Sequence, residues 1–382
     1  MEEFAGRTGL GAGGHASKRY LWTDAFAVCN FLELFHRTGV KKYLQYALEL
    51  VDQVHNILGR HREDDPRSGW ISGLDENEGM AHPTLGGLRI GKKLNERKRS
   101  EVYDERLEWE RDGQYFHYLT KWMHALNRVA NMTGDQKYNR WAIELARAAH
   151  SKFVYEAAGS GQKRMYWKMS IDLSYPLVSA MGQHDALDGY ITYLQLMTTA
   201  AADRQISADT GLDAEIADTM DICKDMGFST DDPLGIGGLL SDACRVAQLM
   251  TGSGLQLDAI LSKLLHGARE GLDAFMLTDA LSYPGRYRLA FRELGLAIGL
   301  HAAEKTEAMI SESGKSFVDP VFLSGQLESL APYFYLSSEI ENFWLQDGNQ
   351  KSDTWTEHID INSVMLATSM APDGYLMIGN MP

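Results

Sequence analysis

The chain has 382 residues, 44% of them hydrophobic, which is ample for a sizeable buried core. Its 52 acidic against 37 basic residues give a formal charge of −15, which repels phosphate backbones and argues against a nucleic-acid partner. No apolar run reaches the roughly 20 residues a membrane helix needs, and Met1-Glu2-Glu3-Phe4 lacks the basic start and apolar core of a signal peptide, so a cytoplasmic protein with no membrane partner is expected.

Residues 1–19 read as a flexible arm. They contain Gly9-Leu10-Gly11-Ala12-Gly13-Gly14, formally a dinucleotide-binding pattern, but no strand precedes residue 9 to deliver the glycines to a helix. The spacing then predicts a helix over 22–36 that is apolar on most sides and one over 40–58 with a charged face. The connection from Gly59 to Gly113 is far longer than an ordinary loop and is expected to fold over the mouth of a site, because Trp70, Leu74, Leu85, Leu88 and Ile90 need somewhere to pack. Within it, Gly86 to Lys93 is one hydroxyl short of a phosphate-binding loop, and the basic run 89–99 is answered by Glu101, Asp104, Glu105, Glu108 and Glu110, as in a solvated segment.

A second helical hairpin follows over 114–131 and 138–155. Thr133-Gly134-Asp135-Gln136-Lys137-Tyr138 matches Thr38-Gly39-Val40-Lys41-Lys42-Tyr43 at an offset of 95 residues (133 − 38), which makes a repeat of hairpins the main architectural signal. Alternation over 165–173 predicts a strand that could pair with 70–74. Helices are then expected over 185–201, 212–226, 236–250, 255–275, 287–302, 304–311, 322–332, 333–346 and 359–370. Cys29, Cys223 and Cys244 have no metal-ligand spacing and read as buried apolar groups.

Alternating buried and amphipathic helices in six hairpins resemble the six-hairpin glycosidases, the (α/α)6 toroids of many glycoside hydrolases. The resemblance implies an all-α fold, an (α/α)6 barrel with a small β-hairpin or extended loops at its rim, forming one domain over 20–382. It also implies a carbohydrate-active enzyme, foremost a glycoside hydrolase, taking a small oligosaccharide or sugar derivative without cofactor or metal. Related toroids include the N-acylglucosamine 2-epimerases, which work through paired histidines; His301 and His358 are the candidates here. A scaffold that kept the fold without its chemistry is the third reading.

Glycoside hydrolysis requires one carboxylic acid to protonate the leaving oxygen and a second carboxylate to activate water. Acids and aromatics recur where the inner helices begin. Capping accounts for part of this pattern, because an Asp in a first turn accepts backbone N–H bonds, but it gives no reason for the aromatics. The catalytic candidates are Asp112 with Asp185 or Asp188, and Glu357 in reserve. Trp22, Trp70, Tyr115 and Trp355 are the candidate stacking faces, and Asp24, His82, His117, Arg286, Arg288 and His358 the candidate polar contacts to substrate.

Overall fold

The first eleven residues are packed against the helices that follow, which corrects the expectation of a flexible arm. In the computed structural model, which describes residues 1–11, 17–202 and 211–379, α1 (Glu2–Arg7) buries Phe4 and Ala5. The ring of Phe4 lies 6.4 Å from that of Phe31, and the Gly11 amide donates to Glu49 Oε1 at 3.0 Å. Apolar side chains at Phe4 and Leu10 supply the adhesion that the glycines had obscured. The rest of the glycine-rich pattern, 12–14, lies outside the described residues.

The chain divides into two compact units, Glu2–Asp225 and Met226–Ile378. The first contains the hairpins α2 (Leu21–Thr38) with α3 (Lys41–Leu58), α6 (Phe116–Thr133) with α7 (Lys137–Phe153), and α8 (Asp185–Ala202) with α9 (Asp213–Cys223). Between them lie the short helices α4 (Glu76–Ala81) and α5 (Glu105–Glu110). The Thr-Gly repeat has one structural job, performed twice. Gly39 and Gly134 end α2 and α6 with φ of 68° and 74°, a left-handed conformation that favours glycine, and their amides donate back to Phe35 O and Ala130 O. The hydroxyls of Thr38 and Thr133 donate to Leu34 O and Val129 O, and each accepts an amide from two residues further on.

Burial separates inner from outer helices. α2 is buried at every position from Leu21 to Glu33, whereas α3 buries one stripe formed by Ala47, Leu50, Val51, Val54, His55 and Leu58. α6 packs against α2, α7 and α8. The strand expected over 165–173 is split. β2 (Val154–Glu156) pairs with β3 (Lys163–Met165), while β4 (Lys168–Met169) lies between β1 (Gln114–Tyr115) and β5 (Pro176–Val178). The 70–74 segment does not join them; Trp70 bridges to Arg60 instead.

The second unit contains α10 (Pro233–Ser253), α11 (Asp258–Met276), α12 (Ala290–Glu312), α13 (Pro320–Glu328), α14 (Tyr335–Trp344), α15 (Asp347–Gln350), α16 (Asp353–Thr356) and α17 (Ile359–Met370). α10 and α12 meet backbone to backbone, because a methyl group on Gly237 would lie 2.0 Å from Gly295 O and one on Gly299 would lie 2.4 Å from the Gly237 Cα. The separate helix expected over 304–311 is the end of α12; Ala302, Ala303 and Thr306 are buried through the presumed break. All three cysteines are buried, and no helix among the described residues is long and apolar enough to cross a membrane.

The 59–113 connection folds across the N-terminal ends of α2 and α6. Arg89 N donates to Leu58 O, Leu21 N to Ile90 O, and Ile90 N to Gly113 O, at 2.8 to 3.0 Å. Trp70, Leu88 and Ile90 are buried; Leu74 and Leu85 are not. At its end, Asp112 is 0% exposed and both its oxygens are engaged. Oδ2 accepts from Arg89 Nη1 at 2.9 Å and Arg62 Nη1 at 3.4 Å, and Oδ1 accepts from the amides of Gly91 at 2.9 Å and Gly113 at 3.1 Å.

Two expectations follow from these buried groups. Asp112→Asn leaves the Arg89 guanidinium buried without its counter-charge, so urea titration is expected to show a loss on the order of 3 kcal/mol; a change under about 1 kcal/mol would contradict the pinning role. His55 is enclosed between Trp122, whose Nε1 donates to its Nε2 at 3.1 Å, and the ring of Trp141. Burial lowers its pKa from 6.5 to about 3. The unfolded chain therefore binds the extra proton between those values, so His55's contribution to stability is complete above pH 6.5 and falls by about 1 kcal/mol per pH unit on acidification. His55→Gln should flatten that slope in denaturant titrations at pH 4 and 7, and an unchanged slope would refute the assignment.

Candidate active site

Three inner helices of the first unit begin side by side, and their first turns share a group of side chains. The hydroxyls of Tyr20, just before α2, and Tyr118, in α6, are 2.7 Å apart. From α6, His117 Nδ1 lies 3.5 Å from Asp185 Oδ1, and Lys121 Nζ donates to Asp188 Oδ1 at 2.8 Å. Both aspartates occupy the first turn of α8, where the helix dipole favours negative charge. His117 and Lys121, four residues apart, project from one face of α6.

The small sheet supplies the wall. β1 ends at Tyr115, which pairs in register with Lys168, next in the chain to Trp167. Trp167 lies 5.1 Å from Tyr115 and nearly parallel to His117, at 6.5 Å and 14°. Tyr115 also meets Tyr118 at 5.2 Å. Burial raises the phenol pKa of Tyr115 and pushes that of Tyr20 up to about 12, so both remain neutral hydrogen-bonding groups at any working pH. Behind the wall the fully buried Lys168 ammonium donates to Glu108 O, Glu108 Oε1 and Arg111 O at 2.8 to 2.9 Å; burial lowers its pKa.

The cluster is incompletely satisfied. Asp185 is only 4% exposed, yet its Oδ2 has no hydrogen-bond partner among the described residues, and neither does His117 Nδ1. Such groups carry a desolvation cost of about 1–3 kcal/mol each, and contacts that are loose in an unliganded site often tighten when substrate arrives. Among the described residues no three His, Cys, Asp or Glu side chains are grouped to hold a metal.

Of the residues singled out from the sequence, the first unit brings together Tyr115, His117, Asp185 and Asp188. Asp112 is sealed in its arginine and amide cage. Asp24 is buried and accepts from the Tyr20 amide at 2.9 Å, with Arg19 at 3.5 Å, which is a helix-start role. Trp22 is buried with its ring 4.4 Å from that of Phe26. Trp70 is a core ring covered by Arg60 at 4.1 Å, because Gly59 and Gly79 leave space for it. His82 pairs with Glu144 of the outer helix α7 at 2.7 Å.

In the second unit, Arg288 grips Glu293 through three hydrogen bonds of 2.8 to 3.1 Å, and Trp344 Nε1 donates to Glu293 at 2.7 Å. Trp344 stacks on Trp355 at 5.6 Å, so Arg288 and Trp355 belong to one buried knot. Arg286, Glu357 and His358 are exposed. His358 touches Phe291 at the start of α12, while His301 lies ten residues further along that helix, about 15 Å away. His301 is instead held by Glu341 at 2.9 Å, which raises its pKa. These two histidines do not form a pair.

Sequence reasoning missed Tyr20, Tyr118, Lys121 and Trp167. The i, i+4 spacing of His117 and Lys121 was a usable signal; Trp167 was hidden inside an apparent strand.

No family model and no curated protein matches the chain by sequence. Among solved structures it is similar to the GH76 alpha-mannanase of Bacteroides thetaiotaomicron, at 11% identity over 93% of this chain and 86% of that one, with a TM-score of 0.51. It is also similar to the cellobiose 2-epimerase of Spirochaeta thermophila, at 12% identity over 94% and 87% of the two chains and a TM-score of 0.48. A sugar epimerase from a ruminal bacterium follows at 10%, 82% and 76%, with 0.44. At such identity the likeness to the mannanase speaks to fold alone: the chain has the all-α (α/α)6 fold, with small hairpins, that its alternating helices resemble.

Proposed function

We propose that the chain is a carbohydrate-active enzyme that hydrolyses a glycosidic bond at the shared N-terminal ends of α2, α6 and α8. The observation that carries this reading is the buried, unpartnered Asp185 carboxylate oxygen beside a second carboxylate, Asp188, that has its own cation, within a wall of Tyr115 and Trp167. Two carboxylates in unlike surroundings can divide acid and base roles, and flat aromatic faces suit the C–H faces of sugar rings. In the proposed step, Asp185 as general acid gives a proton to the leaving oxygen as the C–O bond breaks. Water attacks the anomeric carbon and yields its proton to Asp188. Lys121 holds Asp188 in place; after the products leave, Asp188 releases its proton to solvent and His117 relays one from solvent to Asp185, which restores both groups for the next turnover. Asp112, caged by its donors, is assigned to the framework.

One observation favours a second reading. His117 presents Nδ1 to Asp185, an arrangement that orients an imidazole for proton transfer through its other nitrogen, so removal of a proton beside a sugar carbonyl is the alternative.

The two are separated by incubating the protein in D2O with alpha-linked manno-oligosaccharides and cello-oligosaccharides, scoring both new reducing ends and deuterium at carbon 2. Asp185→Asn and Asp188→Asn are each expected to lower the rate of bond cleavage about a hundredfold or more with circular dichroism unchanged. Retention of activity in both variants would sink the carboxylate mechanism. Deuterium incorporation without cleavage, abolished by His117→Gln, would establish the proton-transfer reading in its place.

A further inference from the structure

The segment 99–111 reads as solvated charge, yet it carries an aromatic that the structure holds half in the open. Trp109 is 47% exposed on α5. Asp104 caps this helix by accepting from Leu107 N at 3.0 Å. Its next residue inward, Glu108, is buried and fixed by Lys168 at 2.9 Å and Arg97 Nε at 3.0 Å. An exposed indole normally gains little from such anchoring, since its apolar face remains in water.

The ring is not isolated. Trp109 meets Trp167 edge to face at 5.4 Å and 78°, and Trp167 continues to Tyr115 at 5.1 Å and to the parallel ring of His117. A continuous series of rings therefore runs from solvent at α5 to the imidazole beside Asp185.

We infer that Trp109 is the platform for a further sugar ring of an oligosaccharide whose reacting bond lies at His117 and Asp185, so that the substrate is longer than a disaccharide. The inference rests on the proposed function and extends it outward from the mouth. The occupant is a sugar ring because the exposed indole is continuous with the wall of the candidate site and its edge partner Trp167 is shared with that wall. Buried Lys168 and Glu108 fix the backbone from which Trp109 projects, the preorganisation that stacking recognition needs.

The test is calorimetric titration of the full chain and of Trp109→Ala with mannobiose, mannotetraose, cellobiose and cellotetraose. Wild type should bind one tetrasaccharide more tightly than its dimer, and Trp109→Ala should weaken that tetrasaccharide about tenfold while changing the dimer less than about twofold. Trp109→Phe, which keeps a flat ring, should recover most of the loss and covers the case in which the alanine variant folds poorly. Equal tetrasaccharide affinity in wild type and both variants would overturn the platform and leave the proposed function standing. Failure of wild type to bind any of the four sugars would overturn both.

Discussion

The Asp112 carboxylate is the constraint on which the first unit's mouth depends. One buried group accepts from two arginines and two backbone amides, and its donors come from positions 62, 89, 91 and 113. It thereby closes the long 59–113 connection onto the start of α6. An isolated buried carboxylate would be prohibitive; four donors and two cations compensate it. The same closure sets where β1 begins, and β1 presents Tyr115 and positions β4 beside Trp167.

Charge is handled in two ways around that mouth. Asp112, Glu108, Lys168 and Arg89 are buried with their hydrogen-bonding capacity largely used, which suits a framework. One layer outward, Asp185 and His117 leave buried polar atoms without hydrogen bonds. Natural structures seldom leave such atoms idle unless they act on a ligand or bond a water. Such atoms are not confined to this cluster, since Arg19 Nε and His61 Nδ1 share the condition; Asp185 and His117 are set apart by facing each other at 3.5 Å beside the rings of Tyr115 and Trp167. In the second unit, the Arg288–Glu293–Trp344–Trp355 knot is of the satisfied kind.

The hairpin repeat was legible because both copies of Thr-Gly do backbone work, ending a helix through a left-handed glycine and a hydroxyl that serves both as donor and acceptor. Helix starts at 185 and 359 were legible from acids in the first turn, Asp185 and Asp188 in one and Asp360 in the other. Asp185, Asp188, Tyr115 and His117 could be picked out since acids and rings at helix starts are a local pattern. What was not legible depends on tertiary neighbours. Nothing near Asp112 in sequence shows that Arg62 and Arg89 would enclose it, and Trp70 reads as exposed until Gly59 and Gly79 are seen to leave it space. Trp109 lay within a charged run whose inward residue, Glu108, turns out to be buried against Lys168. The boundary of the strand near 167 was misread because period-two alternation continues through a register shift at Lys168 and Met169.

The most direct test of the central claim, that the shared ends of α2, α6 and α8 form a sugar-binding mouth, is a crystal structure of the chain soaked with a tetrasaccharide that it binds in solution. A sugar ring is expected against Trp167, with a hydroxyl or glycosidic oxygen within hydrogen-bond distance of Asp185 Oδ2. A sugar bound elsewhere, with that oxygen still unpartnered, would contradict it.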